Sequence, residues 1–297
     1  MPGFSYQLIE DQTNRQAFKI TLHESDRAFH KPAAGNVLTM ILVTRGAGQV
    51  FRDEAAYDFS SNCLLCFSLY QVFKISAKET FEGIVINFHP SFFCLFKHRR
   101  EVSCNGILFN NLYDTPVVNL NDEEVKTLRV IAGQMREEFE KHDTPDQDIL
   151  LSYLKIFLID ASRTKQQQQT GEFKTNDRDN PLVLPLKNAI EENFKTLHSP
   201  GDYAHLLYVS TPVLNNIAKQ YFKKTLTNLI AERVIIEAKR ELYLSSKPIK
   251  EISSELGYED EFYFSRFFKK HTGVSPLFFR EKVGFNKLQE YGDSPGL

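Results

Sequence analysis

The sequence predicts an α+β chain with an antiparallel β-sandwich or barrel over residues 1–120, a helical pair over 121–163 and an all-helical region over 181–285. Three observations carry this reading. Short apolar runs alternate with polar breaks through the first 120 residues, the apolar period lengthens to three or four at Asn121, and a strongly polar stretch over 164–180 divides the chain. At 297 residues there is room for two domains, taking about 150 residues for each. A composition of 42% hydrophobic and 25% charged residues belongs to a chain that folds.

The β-rich part begins most clearly at 37–44 (VLTMILVT), an apolar, β-branched run ended by the turn signal Arg45-Gly46-Ala47-Gly48. Segments 49–51, 57–59, 63–69, 72–75 and 83–88 continue the pattern between polar breaks. At Asn121 and Asp122 a helix can be capped, and Val125, Leu128, Ile131, Ala132, Met135 and Phe139 then recur at helical spacing. Thr144-Pro145 opens a second helix, with Pro suited to its first turn and Asp146 and Asp148 at its positive end. The apolar stripe of that helix is Leu150, Leu151, Leu154, Phe157, Leu158 and Ala161. It is wide enough to serve both the barrel and a second copy of the chain, so the intact protein is expected to be a homodimer through it. The next residues, 164–180, include the run Lys165-Gln166-Gln167-Gln168-Gln169 and read as a flexible linker too polar to bury. Residues 286–297 form a tail.

Charge and cysteine usage bound the function. Residues 1–180 carry 20 Lys and Arg against 24 Asp and Glu, whereas 181–285 carry 15 against 12. The modest positive excess therefore lies in the helical region, where it suits a polyanionic partner. The first residues lack a basic start and an apolar core, so no signal peptide is expected, and no apolar run approaches the length of a membrane span. Cys63, Cys66, Cys94 and Cys104 then read as reduced thiols of a cytoplasmic protein. Cys63 and Cys66 have the C-x-x-C spacing of a metal or redox site, but no second Cys pair or His pair accompanies them.

The residues with the sharpest pattern lie at 246–280. Pro248 sits in the first turn of a helix bearing Ile249, Ile252 and Leu256 on one face. Gly257 allows a tight interhelical turn, and Glu259 and Asp260 stand at the start of the next helix, 262–270. There Phe264 and Phe268 can pack inward, leaving Glu261, Phe262, Ser265, Arg266 and Lys269 on the other side. A short helix, a glycine turn and a second helix with a polar, basic outer face suit the major groove of DNA. A weaker copy of the unit precedes it. Ser199-Pro200 opens its first helix, Tyr208-Val209-Ser210 makes the turn, and Thr211-Pro212 starts a helix with Leu214, Ile217 and Tyr221 inward. Pro212, Asn215, Asn216 and Lys219 face outward, and 229–244 fits a long connecting helix.

The stretch PIKEISSELGYEDEFYFSRFFKKHTGVSP, starting at Pro248, resembles the signature of the AraC/XylS family of transcription regulators, and the likeness extends over about 100 residues. The resemblance implies an all-α domain of two helix-turn-helix units on a long helix, with both recognition helices in successive major grooves on one face of the duplex. Carried over by position, Pro212, Asn215 and Asn216 would face bases in the first unit, and Glu261, Phe262, Ser265 and Arg266 in the second. Lys223 departs from the pattern, standing where Gly commonly ends the first recognition helix. Asn216 stands where Arg is frequent, which would favour adenine over guanine. The β-rich region resembles the cupin-like sensor barrel that accompanies such domains, and it would take a small-molecule effector. RNA polymerase is a further implied partner if the protein activates.

Two other function classes compete. A cupin-like enzyme would hold a metal through a His-x-His pair, but His23, His30, His89 and His98 are scattered, so neither a metal nor a cofactor is expected and the chain is read as no enzyme. A module that binds protein through its helices is the other class.

Overall fold

The N-terminal strands run β1 (Ser5–Glu10), β2 (Arg15–His23), β3 (Leu38–Arg45), β4 (Gly48–Arg52), β5 (Ala55–Phe59), β6 (Cys63–Phe67), β7 (Phe73–Ala77), β8 (Glu82–Phe88) and β9 (Val117–Asn119). Helices follow as α1 (Asp122–Lys141), α2 (Gln147–Asp179), α3 (Val183–Asn193), α4 (Pro200–Leu206), α5 (Thr211–Phe222), α6 (Leu226–Leu244), α7 (Ile249–Glu255), α8 (Glu261–Thr272) and α9 (Pro276–Val283). These elements come from a computed structural model that describes residues 3–10, 15–52, 55–95, 107–109, 112–142 and 144–283. The tail 286–297, His98 and Cys104 lie outside the described residues. The chain divides into two units, one of Met1–Asn111 with Thr115–Gly171, the other of Leu112–Asp114 with Glu172–Leu297.

Unit 1 is a sandwich with a helical third layer. Its larger sheet has the order β1-β2-β8-β3-β6-β9 and its smaller one β5-β4-β7, with every adjacent pair antiparallel. Strand periodicity assigns the two faces of the larger sheet. Met40, Leu42, Leu64, Cys66, Ile84 and Ile86 lie in one core with Leu128, Met135 and Leu154 of the helices. Their neighbours Ile41, Val43, Cys63, Leu65 and Val85 lie in another with Val50, Phe59, Phe73 and Ile75. Both faces of β3 are thus covered, which is why its apolar run is nearly unbroken. Between the sheets Phe67 stacks on Phe73 at 3.8 Å, and Phe29, Phe59 and Phe81 fill the remaining space around them.

The helical pair starts where the caps require. Asn121 accepts from the backbone N–H groups of Glu123 and Glu124, and Glu124 Oε2 returns to Asn121 N–H, closing a capping box. At α2 the cap is Asp146, whose Oδ1 accepts from Asp148 N–H at 2.8 Å, while Pro145 precedes the helix instead of entering its first turn.

The structure departs from the sequence reading along α2 in two respects. Leu150, Leu154, Phe157, Leu158 and Ala161 are each 0% exposed and belong to the core of unit 1. They face the large sheet and α1, so the stripe is not available as a seam between copies. The polar stretch 164–180 is also not an irregular linker, since α2 continues through it to Asp179. Thr164 and Lys165 are buried. Thr164 Oγ1 donates to Glu124 Oε1 at 2.9 Å, and Lys165 Nζ donates to the backbone oxygens of Thr115 and Val117, each at 3.1 Å. Polar side chains can be buried there because Glu124 of α1 receives Thr164 and backbone carbonyls at and just before the edge strand β9 receive Lys165.

Unit 2 is helical. The core around α3, α4 and α5 includes Leu186, Ile190, Tyr203, Leu214, Ile217 and Phe222, and the α6 residues Leu226, Leu229 and Ile230 close it. Arg233 on α6 ties it to α3, donating to Glu191 Oε2 at 2.8 Å with its guanidinium 3.8 Å from the Phe194 ring centre.

Candidate nucleic-acid interface

The first helix-turn-helix is α4 with α5. Ser199 caps α4 through a reciprocal pair with Asp202, Ser199 Oγ accepting from Asp202 N–H at 3.3 Å and Asp202 Oδ2 from Ser199 N–H at 3.0 Å. Helix α5 buries Leu214, Ile217, Ala218 and Phe222, which leaves Pro212, Asn216 and Lys219 exposed. Asn215 departs from the expectation of an outward side chain. It is half-buried, and its Oδ1 accepts from Leu226 N–H at 3.1 Å, serving the start of α6. Helical spacing does not reveal that bond, because the chain reverses at Lys223 to bring Leu226 over α5. Lys223 ends α5 in the left-handed region, at φ 59°, a conformation that costs a residue with a β-carbon roughly 1–2 kcal/mol. The turn therefore forms without the glycine common at this position.

The second unit is α7 with α8. Pro248 caps α7, Leu256 closes it, and Gly257 turns the chain at φ 79°. Asp260 caps α8, its Oδ1 accepting from Phe262 N–H at 2.7 Å. Phe264 and Phe268 are fully buried, and the Phe268 ring meets Phe279 of α9 edge-on at 5.7 Å. On the other side of α8, Phe262, Arg266 and Lys269 are exposed, with Glu261 and Ser265 half-buried beside them. Phe262, Arg266 and Lys269 recur at helical spacing and so share one strip. Gly273, at φ 78°, ends the helix.

One helix carries both units. Helix α6 has 19 residues, a rod of about 28 Å. That length is commensurate with the roughly 34 Å between successive major grooves on one side of a duplex. Between α6 and α8 lies a cleft of about 650 Å³ whose lining includes Val234, Tyr258, Tyr263, Arg266, Lys270 and His198. The His198 ring stacks on Tyr258 at 4.6 Å, and its Nε2 is buried without a hydrogen-bond partner among the described residues. Burial pushes the Tyr258 phenol above its ordinary range, so it stays neutral. Sequence reasoning did not single out Tyr263 or His198. The signal for Tyr263 was its spacing to Arg266 and Lys270, which makes a second strip beside the first.

The candidate metal and redox residues occupy structural positions. Cys63 and Cys66 stand three apart on a strand, so they point to opposite faces and enter separate cores. Burial pushes the Cys63 thiol up to about 12. His30 Nε2 is 2.9 Å from Asp26 Oδ2, and His89 Nδ1 is 2.7 Å from Ser91 Oγ. His23 packs its ring on Phe29 at 5.1 Å, and burial with Lys19 lowers its pKa. Among the described residues no three His, Cys, Asp or Glu side chains gather as a metal set, and no helix is long and apolar enough to cross a membrane.

The chain is similar to known transcriptional regulators. A family model described as a helix-turn-helix domain matches residues 203–282. The raffinose operon transcriptional regulatory protein RafR of Pediococcus pentosaceus is 30% identical over 95 residues, covering 32% of this chain and 34% of that protein. The chain thus spans about a third of that relative's length. The HTH-type transcriptional activator RhaR of Cronobacter sakazakii is 24% identical over 257 residues, covering 82% of this chain and 84% of its own. Among solved structures, the C-terminal domain of AraT, a response regulator from Geobacillus stearothermophilus, aligns with 30% identity and a TM-score of 0.36, covering 39% of this chain and 93% of that one.

Two helix-turn-helix units on one connecting helix define unit 2 as a DNA-binding domain. Residues 203–282 match a helix-turn-helix domain, and the chain is similar to DNA-binding transcription regulators.

Proposed function

We propose that this protein regulates transcription by reading two successive major grooves of one duplex site, α5 in one groove and α8 in the next. The observation that carries this is the pair of outward strips, Pro212, Asn216 and Lys219 on α5 and Phe262, Arg266 and Lys269 on α8, joined through the single helix α6. Arg266 has the planar fork that matches guanine O6 and N7, and Asn216 the amide that matches adenine. Glu261 and Ser265 border the α8 strip, while Asn215 serves the turn first. Lys269, nearer the end of α8, meets phosphate.

In this reading residues 181–285 are the DNA-binding domain and unit 1 is a cupin-like sensor that takes a small-molecule effector. The protein works in the cytoplasm as a homodimer, without a catalytic role, and engages RNA polymerase where it activates. With the stripe of α2 buried, the dimer surface moves to the outer side of the helical pair. There Val130, Ile149 and Ile156 are 57%, 40% and 47% exposed.

The test is a gel-shift titration of the full-length protein on duplexes recovered by random-site selection, at rising salt. Affinity falls steeply with salt, as phosphate neutralisation requires. Arg266→Ala loses about 1–3 kcal/mol and relaxes preference at one or two base pairs, whereas Lys269→Ala weakens all sequences alike. Affinity indifferent to salt, or identical specificity profiles for the two variants, would refute the reading.

A further inference from the structure

Helix α8 disposes of its aromatic residues in two ways. Phe264 and Phe268 are 0% exposed, while Phe262 is 75% exposed. Two residues along a helix is a rotation of about 200°, so Phe262 points away from the core that Phe264 enters. It heads the strip that continues through Arg266 and Lys269, and it lies in the first turn, where Asp260 Oδ1 holds its N–H. The residues nearest the start of a recognition helix are those that reach base edges.

Chemistry narrows what this ring can meet. It has no donor or acceptor, so it gains nothing from a phosphate oxygen or a base amide. Glu259, Asp260 and Glu261 precede it directly in the chain, and three carboxylates disfavour contact of this end of α8 with the sugar–phosphate backbone. The apolar group that the major-groove edge of a base pair offers is the C5 methyl of thymine. One turn further on stands Arg266, about 5.4 Å along the axis. Base pairs rise by about 3.4 Å, so the two residues address positions one or two steps apart.

We infer that Phe262 reads the C5 methyl group of a thymine, one or two base pairs from a guanine held by Arg266. The inference rests on the DNA-reading function proposed above and adds a specificity determinant to it. Burying one methyl group against the ring gives a preference of roughly fourfold.

The experiment uses the full-length protein and a duplex recovered by random-site selection. Each thymine is replaced in turn by deoxyuridine, which removes only the methyl group, and affinity is measured for the wild type, Phe262→Ala and Phe262→Leu. We expect one thymine whose replacement weakens wild-type binding roughly fourfold, equal binding of both duplexes by Phe262→Ala, and a reduced preference with Phe262→Leu. Because Phe262 is exposed, both variants should melt like the wild type. A selected site at which no thymine replacement matters would overturn the inference and leave DNA reading intact, as would a Phe262→Ala protein that keeps the full preference. Failure to select any duplex would overturn the DNA-reading function and this inference with it.

Discussion

The side-chain amide of Gln168 pairs with both backbone polar groups of Asn119, its Oε1 accepting from Asn119 N–H at 3.3 Å and its Nε2 donating to the Asn119 carbonyl. One turn earlier on α2, Lys165 donates to the carbonyls of Thr115 and Val117. Residues 117 and 119 alternate along β9 and Thr115 lies just before it, so these two side chains cover the open edge of the larger sheet.

Removing that cover costs stability in unit 1. Lys165→Ala removes a buried donor from the carbonyls of Thr115 and Val117, a loss of about 1–3 kcal/mol, and adding Gln168→Ala increases it. Chemical denaturation followed by circular dichroism measures this, and an unchanged midpoint for the double variant would mean that water replaces both side chains without cost.

The same residues explain what the sequence conceals. The run of 165–169 is as polar as a linker, and nothing local distinguishes a solvated Gln from one paired to a distant strand. Strand β1 gives a weak signal because it is short and sits at a sheet edge, where Tyr6 and Leu8 alternate with exposed Ser5 and Gln7 but none of its residues is fully buried. By contrast β3, β6 and β8 are legible because burial on both faces demands near-continuous apolar runs. The outward strips of α5 and α8 are legible because helical spacing alone separates Leu214 and Ile217 from Asn216, and Phe264 and Phe268 from Arg266. Asn215 escaped that logic because its partner, Leu226 N–H, arrives only after a chain reversal.

Substitutions in the stripe of α2 act on folding. Leu154→Ala should cost about 2–5 kcal/mol, and Leu154→Asp more, because a carboxylate enters an apolar core. Thermal melting should show loss of unit 1 structure for the Asp variant. Sedimentation showing a folded protein that has merely changed its oligomeric state would return the stripe to an interface between copies.

Gly257 cannot be replaced without cost. At φ 79°, a β-carbon there would stand 2.1 Å from the carbonyl oxygen of Lys195. Gly257→Ala combines that clash with backbone strain and should destabilise unit 2 by about 2–4 kcal/mol. It should also weaken DNA binding, since the turn sets the angle of α8. Wild-type melting of this variant would contradict the close approach.

The buried Cys63 thiol makes a prediction about pH. Its pKa is raised from 9.0 to about 12 in the fold, so between those values the unfolded chain releases a proton that the native state retains. Stability is therefore unaffected below about pH 9 and falls as pH rises above it, with a slope approaching 1.36 kcal/mol per unit from this group. Denaturation of Cys63→Ala across pH 8–11 should show a shallower decline than wild type. In the native state at pH 8, Cys63 should resist thiol reagents, and prompt labelling would contradict its burial.

Base-by-base interference footprinting of the full-length protein on a selected site tests the two-groove claim most directly. Each copy should give two clusters of sensitive bases on one face of the duplex, centred roughly 10 base pairs apart. Arg266→Ala should erase sensitivity in one cluster and Asn216→Ala in the other. A single cluster per copy, clusters half a turn apart, or both variants acting on the same cluster would contradict it.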